Sequence, residues 1–192
     1  MLESSQSQFI HLRCHSEYSI SDGIVRIPDY VKKALETNMS AIGLTDLSNL
    51  FGAVKFFKSA VAAGIKPIFG ADVWIENDAS SEQPHKMLLL CQNQQGFTNL
   101  SELLSKAYLE NQVRGMPMIK KSWIFESHEG LIVLSGSLHG SIGKLLDQNK
   151  IPEAREELLL WKKIFQDRFY LEVQRYGDDS RRKRENQYIE KA

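Results

Sequence analysis

Short apolar runs alternate with helical patterns along most of the chain. Runs such as 41–45 and 131–134 lack polar alternation, which predicts strands that are buried on both faces. Between these runs, apolar residues recur three or four positions apart, which predicts amphipathic helices. The predicted strands are 9–13, 41–45, 65–76, 85–91, 131–134 and 169–173. About six alternations favour an α/β fold with a parallel sheet, either open or curled.

The helical patterns also predict which side chains face the core. Pro28 is suited to the first turn of the first helix, and Asn38 is a plausible left-handed cap at its end. The predicted core stripes are Ile27, Val31, Ala34 and Leu35; then Val54, Phe57 and Val61; then Phe97, Leu100, Leu104 and Ala107; and finally Ala154, Leu158, Trp161 and Phe165. Residues 110–121 are predicted to be irregular.

Composition is that of an ordinary globular domain. The chain has 192 residues, with 42% hydrophobic and 25% charged, which is enough for one domain with a core. Its 24 basic and 24 acidic side chains cancel, so the domain has no overall basic footprint for nucleic acid. Cys14 and Cys91 are isolated, there is no signal-peptide pattern, and no apolar run approaches the ~20 residues of a membrane span. We therefore expect a cytoplasmic protein that does not enter a membrane.

Polar side chains follow several of the predicted strands. They are His15, Asp22, Asp46, Asp72, His85 and Ser137, with His139 close by. Chemistry in α/β folds is found at such strand ends, so a metal site is one interpretation. The alternative is that these histidines are hydrogen-bonded core residues and the aspartates cap loops. Arg13 argues against a metal, because a guanidinium is always charged and has no lone pair to donate.

Other candidate motifs favour no chemistry. The basic run 181–184 has acidic neighbours on both sides, which is typical of a solvated helix face. Ser135 and Ser137 lack the Gly-x-Ser-x-Gly context of a serine nucleophile. Gly136 and Gly140 are not followed by the Lys and Ser/Thr of a phosphate loop.

Five stretches together resemble one known family. They are FIHLRCHSEYSISDG, AIGLTDLSNLFGAVKFFKSAVAAGIKPIFGADV, GFTNLSELLSKAY, EGLIVLSGS and RFYLEVQRYG, in unbroken order over most of the chain. They are similar to the N-terminal PHP (polymerase and histidinol phosphatase) domain of bacterial DNA polymerase III α subunits. The resemblance implies a distorted (β/α)7-type barrel. It also implies that this chain is a fragment whose barrel continues past its end. The expected organisation is a flexible N-terminus (1–8), a PHP domain (9–177) and a charged helix or tail (178–192).

The resemblance also implies a ligand set, and this sequence departs from it. Metal-binding PHP domains hold up to three metal ions with His, Asp, Glu or Cys side chains at the strand ends. Arg13, Leu47 and Ser137 stand where the family has ligands, and Asp72 is a shortened acid. His15, Asp22 and His85 are kept, and Asp46 belongs to the same vestigial site. No metal is therefore expected; if one were bound, His15, Asp22, Asp72 and His85 would hold it.

Two functions follow from the resemblance. The first is a catalytically degenerate, metal-free module that supports the polymerase and docks its proofreading exonuclease subunit. The alternative is a residual metal-dependent phosphoesterase or 3′–5′ exonuclease. The parent protein would synthesise DNA on a template with Mg²⁺ in a polymerase site outside this segment, and the segment itself has no catalytic residues or cofactor. Partners would be the exonuclease subunit and the remaining polymerase domains, with weak DNA binding. A further hypothesis is that the guanidinium of Arg13 replaces the lost metal charge beside Asp22 or Asp72.

Overall fold

A computed structural model gives the structure of residues 9–77, 83–175, 177 and 179–192. The predicted flexible segment 1–8 lies outside the described residues. The helices are α1 (Ile27–Glu36), α2 (Ala53–Ala62), α3 (Gln94–Glu110), α4 (Lys121–Glu126), α5 (Ser141–Asp147), α6 (Ile151–Phe165) and α7 (Asp179–Lys191). The strands are β1 (Ala41–Leu44), β2 (Lys66–Ile75), β3 (His85–Cys91), β4 (Gln112–Val113), β5 (Met116–Ile119), β6 (Leu131–Leu134) and β7 (Phe169–Tyr170). Short 3₁₀ turns occur at Glu17–Ser19, Ser137–His139 and Gln166–Arg168.

The chain forms two compact units, Met1–Ala71 and Asp72–Ala192. In the first unit, β1 pairs in parallel with the beginning of β2, and Ala41 lies opposite Lys66. Helices α1 and α2 bury one face each in a core that also contains Ile42 and Leu44 of β1. Pro28 lies in the first turn of α1, and Asn38 adopts a left-handed φ of 55°, as predicted.

Helix α2 buries a different stripe from the predicted one. Its buried side chains are Ala53, Phe56 and Ala60, whereas the predicted Val54, Phe57 and Val61 are exposed. The two stripes differ by one position, and both have helical spacing. Phe56 lies in the core between the rings of Tyr30 and Phe69. In α1 the prediction failed only for Leu35, which is 55% exposed.

The expected opening strand at 9–13 is wrong, because the segment is irregular. Its carbonyl groups still reach β1: His11 accepts from Gly43 N–H at 2.7 Å, and Cys14 accepts from Thr45 N–H at 2.9 Å. The Cys14 N–H, however, donates to the side-chain Oγ1 of Thr45, which interrupts a regular ladder. A Cβ added to Gly43 would lie 2.6 Å from the Leu12 carbonyl oxygen, so only glycine allows this close approach.

The second unit contains a mixed sheet in the order β4-β5-β2-β3-β6-β7. Pairs β2–β5 and β6–β7 are parallel, but β3–β6 and β4–β5 are antiparallel. The α/β class is therefore confirmed, and the expectation of an all-parallel sheet is wrong. Short apolar strands that are buried on both faces carry no signal of direction. Among the described strands, the path is open at β4 and β7 and does not close into a barrel.

A tight hairpin replaces part of the predicted irregular stretch 110–121. Strands β4 and β5 are joined by Arg114 and Gly115, with φ values of 53° and 78°. Two consecutive positive φ angles are typical of a type I′ hairpin turn. The signal in the sequence was Gly115, which adopts a positive φ readily and lies between Val113 and Met116.

Helix α6 buries Ala154, Trp161 and Phe165, as predicted, while Leu158 is partly buried. The Trp161 ring stacks on Phe169 at 5.9 Å and meets Phe125 edge-on at 4.9 Å. Among the described helices, none has the length and apolar character needed to cross a membrane.

A partly buried carboxylate joins three helices of the second unit. Glu157 of α6 accepts from Lys121 Nζ at 2.8 Å, from Ser141 Oγ at 3.0 Å and from Trp161 Nε1 at 2.8 Å. Burial raises the pKa of Glu157, but the hydrogen bond and charge of Lys121, with the bonds from Trp161 and Ser141, outweigh it. The pKa therefore lies below its ordinary value of 4.5.

We expect this pair to make stability sensitive to acid. Because the pKa of Glu157 is lower in the folded state, its contribution is present above the unfolded pKa and is lost as the pH falls through the folded value. Wild type should thus lose more unfolding free energy between pH 7 and pH 4 than Glu157→Gln does. Urea unfolding at both pH values checks this, with exposed Glu156→Gln as the control. Equal losses in wild type and Glu157→Gln would contradict the assignment.

Candidate functional site

The predicted site residues fall in both units. Arg13, His15, Asp22, Asp46 and Leu47 lie in the first unit, and Asp72, His85 and Ser137 lie in the second. Each group is described within its own unit.

In the first unit, two predicted ligands contact each other directly. His15 Nδ1 lies 2.9 Å from Asp22 Oδ1, and their side chains are 15% and 39% exposed. The loop that carries them begins with the 3₁₀ turn Glu17–Ser19, which Ser16 caps by accepting the Tyr18 N–H at 3.2 Å. This pair is therefore held on a structured loop.

Asp46 provides the framework of that loop. Its carboxylate is 1% exposed and accepts from Ser16 N–H at 2.6 Å, from Ser16 Oγ at 2.9 and 3.0 Å, and from Ser19 Oγ at 2.7 Å. Ser19 Oγ in turn accepts the backbone N–H of Leu47 at 3.0 Å. The Asp46 carboxylate thus fastens the 15–22 loop to the end of β1.

Leu47 and Cys14, which lie next to Asp46 and His15 in the sequence, are unsuited as metal ligands. The Leu47 side chain is partly buried and has no atom that binds a cation. Burial, with the negative charge of Asp46, raises the pKa of the Cys14 thiol to about 11, so it stays protonated at neutral pH. Because metals bind the thiolate, this shift disfavours Cys14 as a replacement for a missing ligand.

In the second unit, Asp72 has a cationic neighbour on the adjacent strand. The Asp72 side chain on β2 is fully buried, and its Oδ2 lies 4.0 Å from Lys86 Nζ of β3. The same ammonium lies 4.8 Å from the centre of the Trp74 ring. A carboxylate and a ring face together stabilise a positive charge at this position.

The other two predicted site residues of this unit lie near the ends of strands. His85 begins β3 and is partly buried. Ser137 is 2% exposed and opens the 3₁₀ turn after β6, with a positive φ of 51°. Its hydroxyl is a weaker ligand than the Cys or His that the resemblance implies at this place.

These residues do not fit the metal cluster that the resemblance implies. Leu47 offers no donor atom, His15 and Asp22 bond to each other, and an ammonium lies beside Asp72. Within residues 9–77, 83–175, 177 and 179–192, no three His, Cys, Asp or Glu side chains gather in a group that could hold a metal ion.

Sequence reasoning missed Lys86 and the serine framework. Lys86 directly follows a predicted ligand in a predicted strand, and strand alternation would have placed it on the opposite face from His85. Ser16 and Ser19 are spaced like capping residues of a short turn, and Asp46 is the acceptor they share. Arg13 is partly buried, and its proposed role as a substitute for metal charge stays a prediction.

A further feature of the first unit is an apolar face turned to solvent. Helix α2 and the residue before its cap present large side chains that are more than half exposed. This face, the α2 outer face, consists of Phe51 (68%), Val54 (68%), Phe57 (51%) and Val61 (53%). Contiguous exposed apolar side chains of this kind mark interaction sites in globular proteins.

The mixed α/β fold resembles that of one solved structure. A solved structure of a protein assigned as a metal-dependent phosphoesterase, from Bifidobacterium adolescentis, matches 82% of this chain and 84% of its own, with a TM-score of 0.50 and 12% identity. The family model of the PHP domain matches residues 11–176. The chain therefore belongs to the PHP domain family.

Its curated relatives are much longer proteins. The DNA polymerase III subunit alpha of Pseudomonas fluorescens is 43% identical over 169 residues, which cover 88% of this chain and 14% of that protein. The Escherichia coli (strain K12) DNA polymerase III subunit alpha is 39% identical over 173 residues, covering 90% of this chain and 15% of the relative. The resemblance stated from the sequence is thus confirmed.

Proposed function

We propose that this chain is the PHP domain of a DNA polymerase III α subunit and that it acts as a metal-free supporting and docking module. The identity of about 40% to two such subunits supports the first part. In this proposal the parent protein carries out template-directed DNA synthesis in the cytoplasm, with Mg²⁺ in a polymerase site elsewhere. The strands described above would form part of a distorted (β/α)7-type barrel.

The observation that carries the metal-free role is the ion pair between Asp72 and Lys86. A cationic side chain beside the buried acid supplies the positive charge that a metal would otherwise supply. A divalent ion at Asp72 would meet electrostatic repulsion from this ammonium. Together with the donor-free Leu47, this favours a degenerate site over a residual phosphoesterase.

Support for docking comes from the α2 outer face. Three of its four apolar side chains, Val54, Phe57 and Val61, lie on one side of α2, and Lys55 and Lys58 lie beside them in the sequence. We assign this face to the proofreading exonuclease subunit, the partner that the family resemblance implies. The remaining polymerase domains and a second copy of this chain are the competing occupants.

The test combines metal analysis with binding. Element-resolved mass spectrometry of the purified chain should find less than stoichiometric Zn, Mn and Fe, and calorimetry should detect binding of the matching exonuclease subunit. Stoichiometric metal, with Mn²⁺-dependent hydrolysis of a phosphoester that Asp72→Asn abolishes, would instead establish the phosphoesterase. A metal-free chain that fails to bind the exonuclease subunit would reject docking.

The α2 outer face makes the docking proposal specific. Phe57→Asp should weaken exonuclease binding by about 30-fold or more, the effect of losing a central apolar anchor. It should leave the unfolding temperature nearly unchanged, because Phe57 is half exposed.

The matched control is Leu109→Asp on α3, where an 85% exposed apolar residue receives the same charge. Equal binding by Phe57→Asp and wild type would remove the face from the docking surface. Sedimentation analysis distinguishes the competing occupant: self-association that Phe57→Asp abolishes would assign the face to a second copy.

A further inference from the structure

The second unit contains a cavity that the predicted site does not use. Its volume is about 620 Å³, within the range of about 300–1,000 Å³ that is usual for small-molecule sites. The 3₁₀ turn Ser137–His139, helix α5 and the start of α7 contribute its walls. This α5–α7 cavity is lined by Leu138, His139, Lys144, Asp147, Ser180 and Arg184, together with Gly177. Its lining shares no residue with the vestigial PHP site.

The lining concentrates basic side chains in a chain without net charge. Lys144, Arg184 and His139 face one acidic side chain, Asp147. The Asp147 carboxylate accepts one hydrogen bond from Arg184 Nη2 at 2.9 Å, which orients the guanidinium. An arginine has five N–H donors, so this contact leaves the guanidinium able to donate further. The lining is therefore net positive and rich in donors.

Lys144 is held at the cavity by a neutral partner. Its ammonium donates to the Pro84 carbonyl at 2.8 Å, and that bond takes one of its three N–H groups. Burial lowers the pKa of Lys144, since a partly desolvated ammonium loses water contacts. An anion in the cavity would restore the lost stabilisation of this charge.

The start of α7 also contributes to the lining, although the Asp179 carboxylate in its first turn offsets part of the positive potential of the helix N-terminus. Ser180 lies in the same turn of this 13-residue helix and is one of the residues that line the cavity. Helix N-termini favour anions because their first N–H groups and the helix dipole point outward. Leu138 adds an apolar wall for the uncharged part of a ligand.

From these contacts we propose that the α5–α7 cavity binds a phosphate group, carried either by a free nucleotide or by a nucleic-acid strand. A phosphate presents several acceptor oxygens and a negative charge, matching a lysine point charge, an arginine fork and a hydroxyl from separate elements. The size of the cavity leaves room for more than an inorganic ion. No metal and no residue of the vestigial site takes part.

The test is calorimetric titration of the 192-residue chain with three probes: inorganic phosphate, a deoxynucleoside monophosphate and a short single-stranded oligonucleotide. Binding of the monophosphate assigns the cavity to free nucleotides, and binding of the oligonucleotide alone assigns it to backbone phosphates. Affinity should fall with added NaCl, as ion-pairing predicts. Failure of all three probes to bind overturns the proposal.

Substitutions locate the binding. Lys144→Met keeps the aliphatic stem and should lower affinity about tenfold, the loss of one charged hydrogen bond. Arg184→Gln should have a similar effect and is tolerated by the fold, because its side chain is 58% exposed. Exposed Lys163→Met on α6 removes the same charge away from the cavity and should leave affinity unchanged. An equal loss in Lys163→Met would show non-specific attraction and overturn the assignment.

Discussion

Replacing Asp46 with alanine should lower the free energy of unfolding by about 3–5 kcal/mol. The carboxylate is buried and accepts from one backbone N–H and two hydroxyl groups. Each buried donor left without an acceptor costs about 1–3 kcal/mol. The loop that carries His15 and Asp22 should lose its attachment to β1, so its amide protons should also exchange faster. Urea unfolding followed by circular dichroism, with hydrogen exchange, measures both effects.

One variant separates hydrogen bonding from charge at this position, and a second, at an exposed aspartate, is the control. Asp46→Asn keeps one acceptor oxygen and should cost less than alanine. Asp167→Ala removes an exposed aspartate and should change the free energy of unfolding by no more than about 0.5 kcal/mol. If Asp46→Ala unfolds at the same urea concentration as Asp167→Ala, the framework role is wrong.

The second large effect is expected at Lys86. Lys86→Met should destabilise the fold by about 2–3 kcal/mol, between the values for exposed and fully buried ion pairs. The reason is that Asp72 is fully buried while the Lys86 side chain is 21% exposed. Removing the ammonium leaves a carboxylate in a low-dielectric site without this neighbour.

A double-mutant cycle measures this coupling. The double variant Lys86→Met/Asp72→Asn should be more stable than the sum of the two single losses predicts, because it carries neither charge. Thermal and urea unfolding of the four proteins give the coupling free energy. Additive losses would show that the two groups do not interact and would remove the main support for the metal-free role.

The sequence predicted an element correctly where a single local pattern, an apolar run or a helical spacing, indicated it. Strands β3 and β6 have the predicted bounds, and α6 buries Ala154, Trp161 and Phe165. The apolar runs of β3 and β6 are bounded by turn residues, and Pro152 lies in the first turn of α6. The type and position of these elements were therefore determined by the local sequence.

Other features depended on tertiary contacts that the pattern did not contain. Helix α2 carries two apolar stripes one position apart, and packing against α1 and β1 selected the one with Phe56. The antiparallel pairing of β3 with β6 left no local mark, because the paired residues, 88–91 and 131–134, are apolar in both strands. The sequence did not predict that residues 9–15 are irregular, because the cause is a tertiary contact. The Cys14 N–H donates to the side-chain hydroxyl of Thr45 and not to a backbone carbonyl.

At the site, the sequence showed where this chain departs from the ligand set that the resemblance implies, but not which other side chains lie beside those positions. The losses at Leu47 and Ser137 were visible from the resemblance, as was the retention of His15 and Asp22. The approach of Lys86 to Asp72 joins neighbouring strands and depends on the register of β2 and β3. Likewise, only the structure showed that Asp46 accepts hydrogen bonds from the hydroxyl groups of Ser16 and Ser19.

The Lys86–Asp72 pair has a consequence for the domain in the cell. A metal ion is exchangeable, so a domain that depends on one loses stability when chelators or competing proteins take the ion away. The ammonium of a lysine is part of the polypeptide, so every copy of the protein carries this positive charge from its synthesis onward and cannot lose it by dissociation. Under the metal-free role proposed above, the charge balance around Asp72 is set by the sequence and is independent of the metal concentration in the cell.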